Sequence, residues 1–251
     1  MRTHRLALLL ALVSLGASAR LAGQADAARD STPQRRSVPV IGLWFVAGTI
    51  ASSSVDGGWE RTIRGASPQS SSGLREAARF GNAWGSPGAI VAAGALWLGG
   101  RALDDTLRAR LGGRALEALV VSGIVTGGLK GLTGRARPFA APGNPERWAF
   151  GRGIRNNGYQ SFPSGHATAA FAFASAITAQ LHSDRSRLAR WAGPVLYSLA
   201  AVTAFARTYD NAHWLSDTAA GAAVGTLSGL AVVRWNDAHR ANWIDRLLLG
   251  R

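Results

Sequence analysis

The sequence predicts an all-α protein, a bundle of about six core helices, and three observations carry that prediction. Apolar segments recur near 38–54, 86–100, 115–129, 167–181, 191–206 and 217–233, each around 15 to 18 residues long. That exceeds an ordinary strand and suits a helix of four or five turns. Most of these segments are rich in alanine and glycine, and short charged stretches separate them.

In chain order, Arg2 and Arg5 precede the apolar run Leu6 to Leu15, and Ala17-Ser18-Ala19 follow. A basic start, a short greasy stretch and a small-residue cleavage site make 1–19 a signal peptide or N-terminal anchor. Residues 20–37 read as a polar linker, and 38–251 as a single helical domain. Within it, 55–85 contains Ser67-Pro68-Gln69-Ser70-Ser71-Ser72-Gly73, the composition of a flexible surface loop. The stretch Phe139 to Gln160 lacks periodicity and reads as a lid, a substrate-entry element or a plain connection.

None of the six segments has the roughly 20 residues of a comfortable membrane span. Glu117 and Asp217 fall inside two of them, so a buried soluble core stays open beside a membrane reading. Arginine distribution supplies an orientation, since it collects on the cytoplasmic side of spans. Segments 101–114, 182–190 and the tail after 233 carry the arginines and would be cytoplasmic. The loops 130–166 and 207–216 then share the opposite face, outside a bacterial inner membrane, or the chain is an exported soluble protein. Counting both 38–54 and 86–100 as spans puts 101–114 on the wrong side, so one of them does not cross.

Composition narrows the chemistry. Apolar residues make up 47% and charged residues 17%, which favours a membrane or its vicinity over an ordinary soluble domain. With no cysteine, thiolate nucleophiles, thiolate metal sites and disulfides are excluded. The net charge of +14 is scattered through loops without interleaved aromatics, which argues against nucleic acid as a partner. His4, His182 and His239 have no partners at ligand spacing, so no metal site is expected. Trp44, Trp84, Trp97, Trp191 and Trp214 near segment ends suit interfacial anchoring and core packing equally.

Three clusters carry reactive side chains. Lys130, the one lysine among 28 basic residues, is followed after six residues by Arg137-Pro138. Ser161-Phe162-Pro163-Ser164-Gly165-His166 follows, and then Arg207, five residues, His213, three residues and Asp217. A phosphoryl group in transfer needs fixed donors around its equatorial oxygens. Lys130, Arg137 and Arg207 are cations of that kind. Ser164 and Gly165, where a helix begins, add a hydroxyl and backbone N–H groups. Four-residue spacing puts His213 and Asp217 on one helix face, with the carboxylate holding one ring nitrogen and the other left free as nucleophile. His166 is then the acid for the leaving oxygen and the base for water.

These clusters resemble the three signature motifs of the type 2 phosphatidic acid phosphatase (PAP2) superfamily, over roughly residues 75 to 235, with the spacings intact. The resemblance implies a PAP2/haloperoxidase-like bundle and a phosphatase that needs no cofactor and no metal. It implies hydrolysis of a phosphomonoester or diphosphate, of a lipid such as phosphatidate or a polyprenyl diphosphate, through a phosphohistidine. Carried over, Lys130, Arg137, Ser164, Gly165 and Arg207 bind phosphate, His166 is the acid, His213 the nucleophile and Asp217 its orienter. Ala206 departs from the family's serine before the third-motif arginine, a loss expected to affect rate more than reaction type. Alternatives are a periplasmic non-specific acid phosphatase on small phosphoesters, a vanadate-dependent haloperoxidase, and a non-catalytic lipid-phosphate binding or transport protein.

Overall fold

The computed structural model describes residues 37–239 and 242–249, so the expected signal or anchor 1–19 and all but the end of the linker lie outside the described residues. All six predicted segments are helical. They are α1 (Ser37–Ser53), α5 (Ala89–Ala102), α6 (Thr106–Thr133), α7 (Gly165–Ser183), α8 (Ala189–Tyr209) and α9 (Leu215–Ala238). Among the described residues there is no strand, only an isolated bridge between Arg135 and Trp148.

The expected loop 55–85 is a correction. It folds into α2 (Asp56–Ile63), α3 (Ala66–Ser70) and α4 (Ser72–Ala83), and a π turn at Trp84–Gly88 then kinks the chain into α5. The serines that suggested a flexible loop act as helix punctuation: Ser71 Oγ accepts the Leu74 N–H at 3.3 Å and caps α4. Behind that cap, Ala78 and Gly81 turn inward against α8. The charged stretch 101–114 is likewise not a loop throughout, because Asp105 caps α6 and Thr106–Thr133 continues as one helix of 28 residues.

Helix α7 lies at the centre, packed against α6, α8 and α9, and half of its buried residues are alanine, with Thr168 and Ser175 among the rest. Small residues let helices approach until backbones touch. On α9, a Cβ on Gly221, Gly225 or Gly229 would fall 2.6 Å from Ser164 O, 2.3 Å from Thr168 O and 2.7 Å from Ser175 Cβ. The α7–α9 contact is therefore fixed by glycine at every fourth position.

The antiparallel run α6 to α9 gives the bundle two chemically distinct ends. At one, the arginine-bearing segments meet acids: Arg110 pairs with Asp184 at 2.8 Å, and buried Arg114 pairs with Glu117 at 2.7 Å and with Asp245 of α10 (Trp243–Leu249). The other end collects the C-termini of α6 and α8 and the N-termini of α7 and α9. Among the described residues α6 is the helix long and apolar enough to cross a membrane, yet only 22% of that apolar stretch is buried within the protein. Val120, Val121, Ile124, Val125 and Leu132 face outward.

Candidate active site

Lys130 occupies the last turn of α6, where its Nζ donates to the Gln160 carbonyl. The helix stops at Gly134, whose φ of +57° is left-handed and whose missing Cβ would lie 1.8 Å from Ala149 O. Arg137, before Pro138, is extended (φ −71°, ψ 155°), so its side chain leaves the helical path as the pre-proline position requires. It donates to the Asn157 carbonyl at 3.1 Å and to Asn157 Oδ1 at 3.2 Å.

Ser164 caps α7 by position, but not with its side chain. Its N–H donates to Asp217 O at 2.9 Å, so that expected phosphate donor is already used. Its hydroxyl is fully buried and has no hydrogen-bond partner. The first bond inside α7 runs from Thr168 N–H to Ser164 O, which leaves the N–H groups of Gly165, His166 and Ala167 at the open helix end. A Cβ on Gly165 would sit 3.8 Å from Lys130 Cε, and one on Gly85 would fall 2.7 Å from His166 Cδ2. Glycine at 85 thus makes room for the His166 ring.

Arg207, in the last turn of α8, donates from one terminal nitrogen to Asn82 Oδ1 at 2.6 Å, and its Nε is buried without a partner. Asn82 is itself held by Asp210 Oδ2 at 2.5 Å. Ala206 is fully buried against α4, its Cβ only 2.9 Å from where a Gly81 Cβ would be. The close α4–α8 contact brings Asn82 alongside Arg207.

The helix-face reading of His213 and Asp217 is corrected. Trp214 is the N-cap of α9 (φ −71°, ψ 160°), so His213 precedes the helix while Asp217 sits in its first turn. Asp217 Oδ2 accepts the Trp214 N–H at 2.8 Å, a capping role that the four-residue spacing also fits. His213 Nδ1 instead lies 2.7 Å from the Ser161 carbonyl and 3.7 Å from Asp217 Oδ2. A carbonyl only accepts, so Nδ1 carries the proton and Nε2 keeps its lone pair. Ser161 links the two residues, its hydroxyl donating to Asp217 Oδ2 at 2.5 Å.

Beneath this pair lies a buried network that the sequence reading missed. Arg135 donates to Asp217 Oδ1 at 2.7 Å, Ser216 Oγ at 2.7 Å, Asp56 Oδ2 at 2.8 Å and the Pro145 carbonyl at 2.9 Å. Its guanidinium lies between the rings of Trp148 and Trp214, 4.8 and 5.7 Å from their centroids. Asp56 in turn accepts the Ser216 N–H at 2.9 Å. Burial pushes His213 down to about 3, with Lys130 and Arg137 adding to the effect and Asp217 opposing it. His166 is pushed down to about 4, first by burial and then by Arg207, Lys130 and Arg137. Both imidazoles are neutral at neutral pH beside the cations Arg137 and Arg207 and beside Lys130, which burial and then Arg137 push down to about 7.

The model of the PAP2 superfamily matches residues 112–241, more than half of the chain and all three clusters. This chain belongs to the PAP2 superfamily. A relative is the lipid A 1-phosphatase of Porphyromonas gingivalis, 38% identical over 88 residues. The match covers 34% of this PAP2 chain and 19% of that protein, so the chain spans about a fifth of the relative it matches. No solved structure matches the chain significantly.

Proposed function

We propose that the protein is a phosphoric ester hydrolase acting on a phosphorylated lipid, through a phosphohistidine on His213 and without a required metal ion. The observation that carries this reading is the convergence of Lys130, Arg137, Arg207 and the unpartnered Ser164 hydroxyl around two neutral histidines. Arg137, Arg207, Lys130 (whose protonated form an incoming phosphate favours) and the N–H groups opening α7 supply the charge that a transferring phosphoryl group needs.

In this scheme His213 Nε2 attacks phosphorus as the bond to the leaving oxygen breaks, and that oxygen takes a proton from His166. His166 then removes a proton from water, the water oxygen attacks phosphorus, and the P–N bond breaks to release phosphate and neutral His213. His166 begins neutral because burial first, and Arg207, Lys130 and Arg137 next, push its pKa down to about 4. A phosphate anion among those groups opposes the cationic part of that shift, so substrate binding raises the His166 pKa towards the protonated acid. Asp217 at 3.7 Å steadies the positive charge that His213 acquires on phosphorylation.

The lipid substrate is supported by α6, whose apolar outer face runs to Leu132, beside Lys130 in the last turn. Its 18-residue apolar stretch reaches about 27 Å at 1.5 Å per residue, close to the roughly 30 Å of a bilayer's hydrocarbon. The arginine-bearing end opposite the site supports a topology with that end in the cytoplasm and the site on the outer side of the inner membrane. The relative's name, a lipid A 1-phosphatase, fits a lipid-borne phosphate. The test is phosphate release from a panel of phosphatidate, polyprenyl diphosphate and soluble phosphoesters in EDTA. Release that His213→Ala abolishes is expected, and release that survives His213→Ala contradicts the mechanism.

A further inference from the structure

Between α6 and α7 the chain forms a platform beside the site. It is tied down by Ala136 N–H to Arg147 O at 2.9 Å, Arg137 N–H to Gly158 O at 2.8 Å and Gly151 N–H to Leu132 O at 2.9 Å. Arg152 stacks on buried Tyr159 at 4.2 Å. A platform held this way has no folding reason to expose large apolar side chains. Phe150 is nonetheless 84% exposed and Ile154 70%, with Phe139 and Trp148 also outward. Arg147, Arg152 and Arg155 are interleaved with them, against the single acid Glu146.

Position indicates what covers these side chains. A Cβ on Gly131 would lie 3.3 Å from Ile154 Cγ1, and Gly153 packs on the Lys130 carbonyl. The apolar side of α6 therefore meets Ile154 across Gly131, at the level where α6 ends and the chain turns to the phosphate-binding residues, with Phe150 four residues before Ile154 in the chain. Apolar tips among arginines, at the mouth of a helix long enough to span, match the headgroup boundary of a bilayer, where rings enter the acyl region and guanidinium groups meet lipid phosphates.

We propose that the Phe139–Asn156 surface docks on an anionic lipid bilayer, with Phe150 and Ile154 inserted below the headgroups. This deepens the lipid phosphatase reading and rests on it for its purpose, because docking would hold the substrate's headgroup level with Lys130 and Arg137.

The chain has no cysteine, which allows a clean depth measurement. Full-length Phe150→Cys carrying an environment-sensitive fluorophore is reconstituted in phosphatidylcholine vesicles with and without phosphatidylglycerol, beside a Ser70→Cys control. The expected result is quenching of the position-150 label by doxyl lipids, strengthened by phosphatidylglycerol, with no quenching at position 70. A label at 150 that stays aqueous overturns the proposal. Shielding that follows protein concentration and not lipid also overturns it, and assigns the surface to a second copy of the chain.

Activity supplies the second arm. Phe150→Ser/Ile154→Ser should keep turnover of soluble p-nitrophenyl phosphate and lose about tenfold on phosphatidate in vesicles. Equal loss on both substrates, or loss on neither, overturns the docking role. If the parent protein hydrolyses no phosphoester, the phosphatase reading fails while the depth measurement still decides docking.

Discussion

Arg135 and Asp217 are joined by a 2.7 Å ion pair in which both side chains are almost fully buried, and Asp56 takes the other side of the same guanidinium at 2.8 Å. The second carboxylate oxygen of Asp217 is then free to fix Trp214 and Ser161, and the Ser161 carbonyl fixes His213. Arg135→Lys cannot reproduce a fork that holds both acids. It is expected to lower kcat on soluble phosphoester by about 10- to 100-fold with little change in KM, since the phosphate donors are untouched. Arg135→Met leaves two buried carboxylates unpaired and should cost about 3–5 kcal/mol in a denaturant titration.

Leaving-group dependence tests His166. Loss of a general acid harms an alkyl leaving group far more than p-nitrophenolate, which departs without a proton. His166→Ala should therefore lower turnover of alkyl phosphate by about 100-fold beyond its effect on p-nitrophenyl phosphate. Gly85→Ala, which pushes a methyl group into the His166 ring, should reproduce the same selectivity in weaker form.

Asn82 should behave as a positioning residue for Arg207. It orients one guanidinium nitrogen at 2.6 Å and leaves the buried Nε unpartnered. Asn82→Ala removes a hydrogen bond to a charged group, worth about 1.5–3 kcal/mol. The expected outcome is a KM raised by about tenfold or more in steady-state kinetics, with kcat reduced less.

Stability should depend on pH through His213. Its pKa falls from 6.5 to about 3 in the folded protein, so below pH 6.5 the unfolded chain binds a proton that the folded one refuses. This contribution is fully present above pH 6.5 and is lost as pH falls toward 3. Denaturation midpoints of the parent protein should drop over that window, and His213→Asn should flatten the slope.

The six core helices were legible because buried helices of alanine and glycine leave long apolar runs, and the three clusters because their spacing is local. What escaped was tertiary. Asp56 and Asn82 sat in a stretch whose serines looked like loop composition, yet Ser71 caps a helix there. Arg135 stood five residues after Lys130 like any loop arginine, and only folding places it between two buried acids. The His213–Asp217 spacing fitted a helix pair and a capped turn equally, and the Trp214 N–H decided for the turn.

The most direct test of the account is to trap the intermediate. Full-length protein is mixed with a labelled phosphoester, quenched in alkali within the first turnovers, digested and mapped by mass spectrometry. The account predicts an alkali-stable, acid-labile phosphate on the peptide bearing His213, absent in His213→Ala. Turnover with no phosphorylated histidine at any quench time, or with the label on His166, would contradict it.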